Sequence, residues 1–198
     1  QKRYWMESYR KKMRIISGLF KGKLINYLKN DKTRPLKDSV KENIFNVIHH
    51  SNLIDIRIEN SNILDLYSGI GSFGIECISR GAEKVTFIEK DEKAVKILKE
   101  NLHNLSIIKQ TKIFDNDIDF ILKNKIIEKY NIFFLDPPFA DFNFIQNLKI
   151  IKKNNYFETN HLIIIHREKR CEDNFQECLK IINNKEYGRS KIIFGKFS

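Results

Sequence analysis

Five short apolar runs, at 62–67, 84–89, 110–114, 131–136 and 161–166, alternate with stretches of helical periodicity at about 73–80, 91–102, 117–128, 142–152 and 173–183. This alternation constrains the fold more than any other feature of the chain. A strand that is apolar on both sides must be covered on both sides. Parallel neighbours, in turn, need a crossover long enough to hold a helix. The expected architecture is therefore a Rossmann-like, doubly wound α/β sheet, mostly parallel. A last run at 190–197, after Tyr187-Gly188, reads as a further strand. Ligands of such sheets sit at the carboxyl ends of the strands, so the residues that end each run carry the functional information.

With 198 residues, of which 41% are hydrophobic, the chain is long enough for one core and a small appendage. Cys77, Cys171 and Cys178 are scattered, without a CxxC pair or a Cys/His cluster. The expectation is a reduced, cytoplasmic chain without a metal. No apolar run reaches the ~18 residues of a membrane span, and the first residues lack the pattern of a secretory signal. The formal charge of +11 is unevenly placed: residues 1–41 carry 13 Lys/Arg and 3 Asp/Glu, and the rest carries 23 and 22. A basic segment set against a neutral body is the footprint of a polyanion partner, although a solubilising tail has the same composition.

Residues 1–12 read as an extension. Two short strands are expected around the Gly18–Gly22 turn, then the Arg34-Pro35 break. A helix should start near Asp38, with Val40, Ile44, Val47 and Ile48 on one face. The expected division is a basic extension and hairpin over 1–37 and an α/β domain over 38–198.

Four constellations follow the strands. In Ile63-Leu64-Asp65-Leu66-Tyr67-Ser68-Gly69-Ile70-Gly71-Ser72-Phe73-Gly74, a strand runs into a glycine turn that opens a helix. Glycines let backbone approach a ligand closely, and Gly69, Gly71 and Gly74 satisfy GxGxxG. That pattern alone does not separate NAD from S-adenosylmethionine. Asp65 points to the second, because a carboxylate there suits an ammonium group and opposes a pyrophosphate. Glu89 ends the next strand, 20 residues after Gly69, where an acid accepts from ribose hydroxyls. Asp91 is a natural helix cap. The polar cluster Asp115-Asn116-Asp117 follows the third strand and can reach an adenine amino group, with one member left for capping. The last constellation, Asp136-Pro137-Pro138-Phe139, is the most specific. Prolines stiffen the loop and leave carbonyl acceptors. An acid and a carbonyl hold the two hydrogens of an exocyclic amine while Phe139 stacks on its ring. Such a site suits methyl transfer to a planar nitrogen.

At these residues the chain resembles the class I, S-adenosylmethionine-dependent methyltransferases of amino nitrogens. Within them it resembles the bacterial 16S ribosomal RNA guanine-N2 methyltransferases of the RsmD type. Met13-Arg14-Ile15-Ile16-Ser17-Gly18, the segment Thr33 to Asn46, Gly74-Ile75-Glu76-Cys77-Ile78-Ser79-Arg80-Gly81-Ala82 and Tyr187-Gly188 all occur in that family's order. The resemblance implies a seven-stranded sheet with a reversed C-terminal hairpin strand. It implies S-adenosylmethionine held by Asp65, Tyr67, Ser68, Gly69, Gly71, Glu89, Lys90, Asn116 and Asp117, with Phe45 and Asn46 nearby, and chemistry at Asp136 to Phe139. It implies 16S rRNA, in a 30S subunit or an assembly intermediate, meeting Arg14, Lys21, Lys23, Arg34 and Lys37. The small size of the chain, rather than the resemblance, carries the expectation of a monomer. The chain departs from the family at Tyr67-Ser68 and Ile70 in the glycine turn, and at Asn116, where the family has Asp.

Rival readings share parts of this pattern. The same tetrapeptide serves DNA adenine-N6 and protein glutamine methyltransferases, the latter usually with Asn in first place. A non-catalytic RNA-binding relict would retain the charge pattern, and a dehydrogenase would retain the glycines.

Overall fold

The structure, a computed structural model, describes residues 10–28 and 36–198. Arg34 and most of the expected 1–12 extension lie outside the described residues. The expected α/β sheet is present. Seven strands, β3 (Asn62–Leu66), β4 (Lys84–Ile88), β5 (Thr111–Phe114), β6 (Tyr130–Leu135), β7 (Phe157–Glu168), β8 (Leu179–Tyr187) and β9 (Ser190–Phe197), lie in the order β5-β4-β3-β6-β7-β9-β8. The first five are parallel, and β9 inserts antiparallel between β7 and β8. The chain direction across the sheet reverses between β3 and β6, which is where a doubly wound sheet opens a crevice.

Period-two alternation sends neighbouring residues to opposite faces. Ile63, Phe87, Ile132, Phe134 and Ile164 pack on one side with α1 (Asp38–His50), α2 (Ser72–Ser79) and α3 (Glu92–Asn104). Leu64, Ile88, Phe133, Leu135 and Ile165 pack on the other with α4 (Ile118–Asn124) and α5 (Phe144–Lys153). The expected apolar face of α1 is present, with Val40, Ile44 and Ile48 buried.

Two expectations are corrected. The segment 173–183 is not a helix. Phe175–Leu179 makes a single turn, and β8 follows, pairing with β9 from Leu179↔Phe197 to Tyr187↔Ser190. The apolar residues at helical spacing, Phe175, Cys178, Leu179 and Ile182, are divided between this turn and the strand, where a bulge between Ile181 and Asn183 interrupts the two-residue alternation. The folded part also begins earlier than Met13, because β1 (Arg10–Arg14) pairs with β2 (Leu24–Leu28) through Lys11↔Tyr27 and Lys12↔Asn26.

The N-terminal hairpin is docked on the sheet domain. The Ile16 and Ser17 amides each donate to the Glu76 carboxylate at 2.9 Å. The Leu19 amide donates to the Ser79 carbonyl (2.7 Å), the Phe20 amide to Ser79 Oγ (2.9 Å), and Ser79 Oγ to the Ser17 carbonyl. Asn101 of α3 closes a two-way bond with the backbone of Asn26. At Gly18 (φ +81°) a Cβ would lie 1.8 Å from the Ser79 carbonyl oxygen, so only glycine allows this approach.

Candidate active site

A cavity of about 1040 Å³ opens at the carboxyl ends of β3, β4 and β6. The end of each strand supplies one acid. β3 supplies Asp65, which is 1% exposed: its Oδ2 accepts from the Gly74 amide at 3.1 Å, and its Oδ1 has no partner among the described residues. Burial pushes this carboxyl well above the usual carboxylate range. The Gly74 amide opposes that shift, and the nearby Asp136 and Glu89 charges add to it. A fully buried acceptor without a donor, aimed at a cavity, is a place for a cationic ligand.

The turn after Asp65 places Tyr67, Ser68 and Gly69 on the cavity wall. Tyr67 adopts φ +59°, rare for a side-chain-bearing residue. Its hydroxyl accepts from Asn147 Nδ2 (3.0 Å), and burial, with the Asp141 charge adding to it, raises its pKa above the ordinary tyrosine value. At the end of β4, Glu89 accepts from the Gly69 amide (2.7 Å) and the Asp91 amide (2.8 Å), tying the glycine turn to the start of α3. Asp91 caps α3 by accepting from the Ala94 amide, as expected.

Of the cluster after β5, Asn116 and Asp117 line the cavity, whereas Asp115 pairs with Lys99 at 3.5 Å outside it. Asp117 caps α4 and pairs with Lys90 at 3.5 Å. Asp136, Pro137, Pro138 and Phe139 sit together at the end of β6. Phe139 is 39% exposed, which leaves its ring open to a flat partner.

Two residues assigned to the cofactor lie one layer back. Gly71 (φ +81°) packs under Leu98, whose methyl a Cβ would meet at 2.4 Å. Phe45 is buried behind Phe73, which does line the cavity. Phe45, Phe73 and Phe134 form a stack with centroids 5.4 and 3.9 Å apart, closed by the Arg80 guanidinium 4.1 Å from Phe45. Of the basic residues, Lys37 lines the cavity. Lys21 and Lys23 are exposed on the docked hairpin, and Arg14 reaches toward Asp38 at 3.9 Å. Tyr27 of β2 also lines the cavity, so hairpin and sheet domain share it.

Several residues at the site have little or no signature in the local pattern. Consecutive residues of β7 grip the 136–139 loop from two sides. His166 Nδ1 lies 2.7 Å from Asp136 Oδ1. Arg167 donates to the Pro138 and Phe139 carbonyls (3.1 Å each) and makes a two-pronged pair with Asp173, both side chains fully buried. The carbonyl of Pro137 has no donor assigned among the described residues. A polar pair closing an apolar strand run at its carboxyl end was the available signal for His166.

The cavity is acidic: among the described residues it is lined by seven carboxylates against Lys37, Lys90 and Arg189. This charge balance suits a cationic ligand and opposes a dinucleotide pyrophosphate.

The family model described as Conserved hypothetical protein 95 matches residues 13–196. The chain belongs to this family, the RsmD type. Ribosomal RNA small subunit methyltransferase D of Haemophilus influenzae is 36% identical over 160 residues, covering 79% of each chain. The protein of the same name from Buchnera aphidicola subsp. Baizongia pistaciae is 36% identical over 156 residues, covering 79% of this chain and 76% of its own. A crystal structure of a candidate methylase from Haemophilus influenzae superposes with a TM-score of 0.74 at 30% identity, covering 95% of this chain and all of that one. The fold and enzyme class expected from the motifs are those of the RsmD family: a class I methyltransferase.

Proposed function

We propose that this RsmD-family enzyme transfers the methyl group of S-adenosylmethionine to the exocyclic N2 of a guanine in 16S ribosomal RNA. The observation that carries the reading is Asp136-Pro137-Pro138-Phe139 at the cavity end of β6, beside the acidic floor built by Asp65. The relatives named as ribosomal RNA methyltransferases supply the substrate class.

The residues fit the cofactor. When bound, S-adenosylmethionine supplies an electrophilic methyl group on a sulfonium. The unpartnered Asp65 Oδ1 suits the ammonium of its amino-acid portion. Glu89 retains lone pairs for ribose hydroxyls, and Asn116 and Asp117, on the cavity wall, would hold the adenine. Tyr67, Ser68, Gly69 and Lys90 complete the wall, with Gly71 and Phe45 supporting it from behind.

On the substrate side, Asp136 accepts one amine hydrogen and the Pro137 carbonyl the other. This arrangement orients the nitrogen's lone pair and opposes its delocalisation into the ring. Phe139 stacks on the base. Asp136 also holds the proton that the nitrogen loses on methylation. Arg14, Lys21, Lys23, Arg34 and Lys37 meet RNA phosphates, with residues 1–37 as the RNA-binding part of a monomeric, cytoplasmic enzyme that acts on a 30S particle or an assembly intermediate.

The test is methyl transfer from radiolabelled cofactor to 16S rRNA in 30S particles, with the modified base identified by mass spectrometry. N2-methylguanine is expected, and Asp136→Ala should lower turnover by ~10²-fold or more while cofactor binding persists. No incorporation into 16S rRNA, or label at an adenine or a protein glutamine, overturns the reading.

A further inference from the structure

The parallel register of β6 and β7 runs to Leu135↔Ile165, and the next residue of each strand is a polar one. Asp136 leaves the ladder there and enters a loop, whereas His166 remains in β7, paired on its other side with Ile192 of β9. The two side chains are brought together by this register, with Nδ1 2.7 Å from Oδ1. The far nitrogen is held as well, with His166 Nε2 2.9 Å from Ser190 Oγ of β9. The His166 side chain is 11% exposed, and the Phe139 ring packs against it edge-on at 5.9 Å. Imidazole rotation is thus blocked by two hydrogen bonds and one aromatic contact. The bond to Asp136 occupies a single carboxylate oxygen and leaves Oδ2, without a hydrogen-bond partner among the described residues, for a substrate amine.

We infer that His166, fixed by Ser190, is a positioning residue for Asp136: it sets the carboxylate's rotamer, and so the direction from which Oδ2 meets the amine. A carboxylate that starts a two-proline loop has no strand neighbour on its loop side to select its rotamer. A pre-oriented acceptor spares the ordering cost at the moment of reaction. The inference deepens the proposed function and rests on Asp136 being the group that holds the amine.

The experiment compares His166→Leu and His166→Asn with the full-length wild-type chain and with Asp136→Asn, using 30S particles. The Asn amide can donate from near the place of Nδ1. His166→Leu should lower kcat by roughly 10- to 100-fold with little change in either KM. His166→Asn should recover most of that loss. In an Asp136→Asn background, His166→Leu should cost little more, because the two act as a unit. Independently of turnover, ¹⁵N NMR of the histidine side chains in the unliganded chain should show the His166 Nδ1 resonance shifting in Asp136→Asn. Full kcat in His166→Leu, failure of His166→Asn to recover activity, additive losses, or an unmoved Nδ1 resonance each overturn the inference. If Asp136→Asn itself turns over like wild type, the underlying reading of Asp136 fails, and the inference fails with it.

Discussion

Replacing Arg167 by leucine would leave Asp173, whose side chain is fully buried, as a charge without a partner. Breaking a buried pair from one side costs about 3–5 kcal/mol, a fall in Tm of roughly 6–20 °C for a domain of this size. The Pro138 carbonyl would keep its bond from the Asp141 amide, but the Phe139 carbonyl would lose its guanidinium donor. Adding Asp173→Leu removes the stranded charge. Buried pairs exchanged for apolar residues are often neutral or better in stability, so the double variant should recover most of the lost stability. It should not recover turnover, because nothing then ties β7 to the 138–139 carbonyls. Urea melts report the first quantity, and steady-state methyl transfer at a temperature where all variants are folded reports the second. A double variant with wild-type kcat, or a single variant as stable as wild type, refutes the clamp.

Three further outcomes are expected. Asp65→Asn should weaken cofactor binding on the order of 10- to 100-fold, the value of a charge-assisted hydrogen bond of roughly 1.5–3 kcal/mol, read by calorimetry. The same variant tests the raised pKa. Above the ordinary carboxylate range the folded chain retains a proton that the unfolded chain has released, so Asp65 lowers stability as pH rises toward its raised value. Unliganded Asp65→Asn should gain on wild type in Tm as pH rises, and parallel curves would count against the shift. Gly18→Ala should cost about 2–4 kcal/mol, from a left-handed φ and three hydrogen bonds to Ser79, and hydrogen exchange should speed up at the Leu19 and Phe20 amides. Changing Lys21 and Lys23 to Gln should reduce the salt slope of RNA binding by up to about 2 with Tm unchanged, and an unaltered slope would return both lysines to a solubilising role.

Much of this was legible because strand runs and their terminal acids are local patterns. Asp65 lies near the end of an apolar run and Glu89 and Asp136 each end one, and a parallel sheet brings such ends to one edge whatever the helices do. What could not be read depends on pairing between segments distant in sequence. His166 and Arg167 reach the 136–139 loop through the β6–β7 register, Asp173 belongs to an irregular stretch, and Asn147 meets Tyr67 across 80 residues. The missed strand β8 is an edge strand with a bulge, largely exposed, so burial did not impose a two-residue pattern on it. The resemblance implies Phe45 near the cofactor, and the chain sets Phe73 between Phe45 and the cavity, because the aromatic stack needs two rings to fill the gap from α1 to Phe134.

Helix α2 has two attachments that are ordinarily separate. Phe73, in its first turn, floors the cavity, and Glu76 and Ser79, on its later turns, hold the basic hairpin by its backbone. Under the proposed function, cofactor and RNA would both bear on this eight-residue helix, the condition for linked binding. If cofactor tightens the seating of α2, it raises the population of docked hairpin, and RNA that prefers the docked hairpin must raise cofactor affinity by the same factor. The order in which the enzyme meets its two ligands then affects the rate of capture but leaves the final occupancy unchanged.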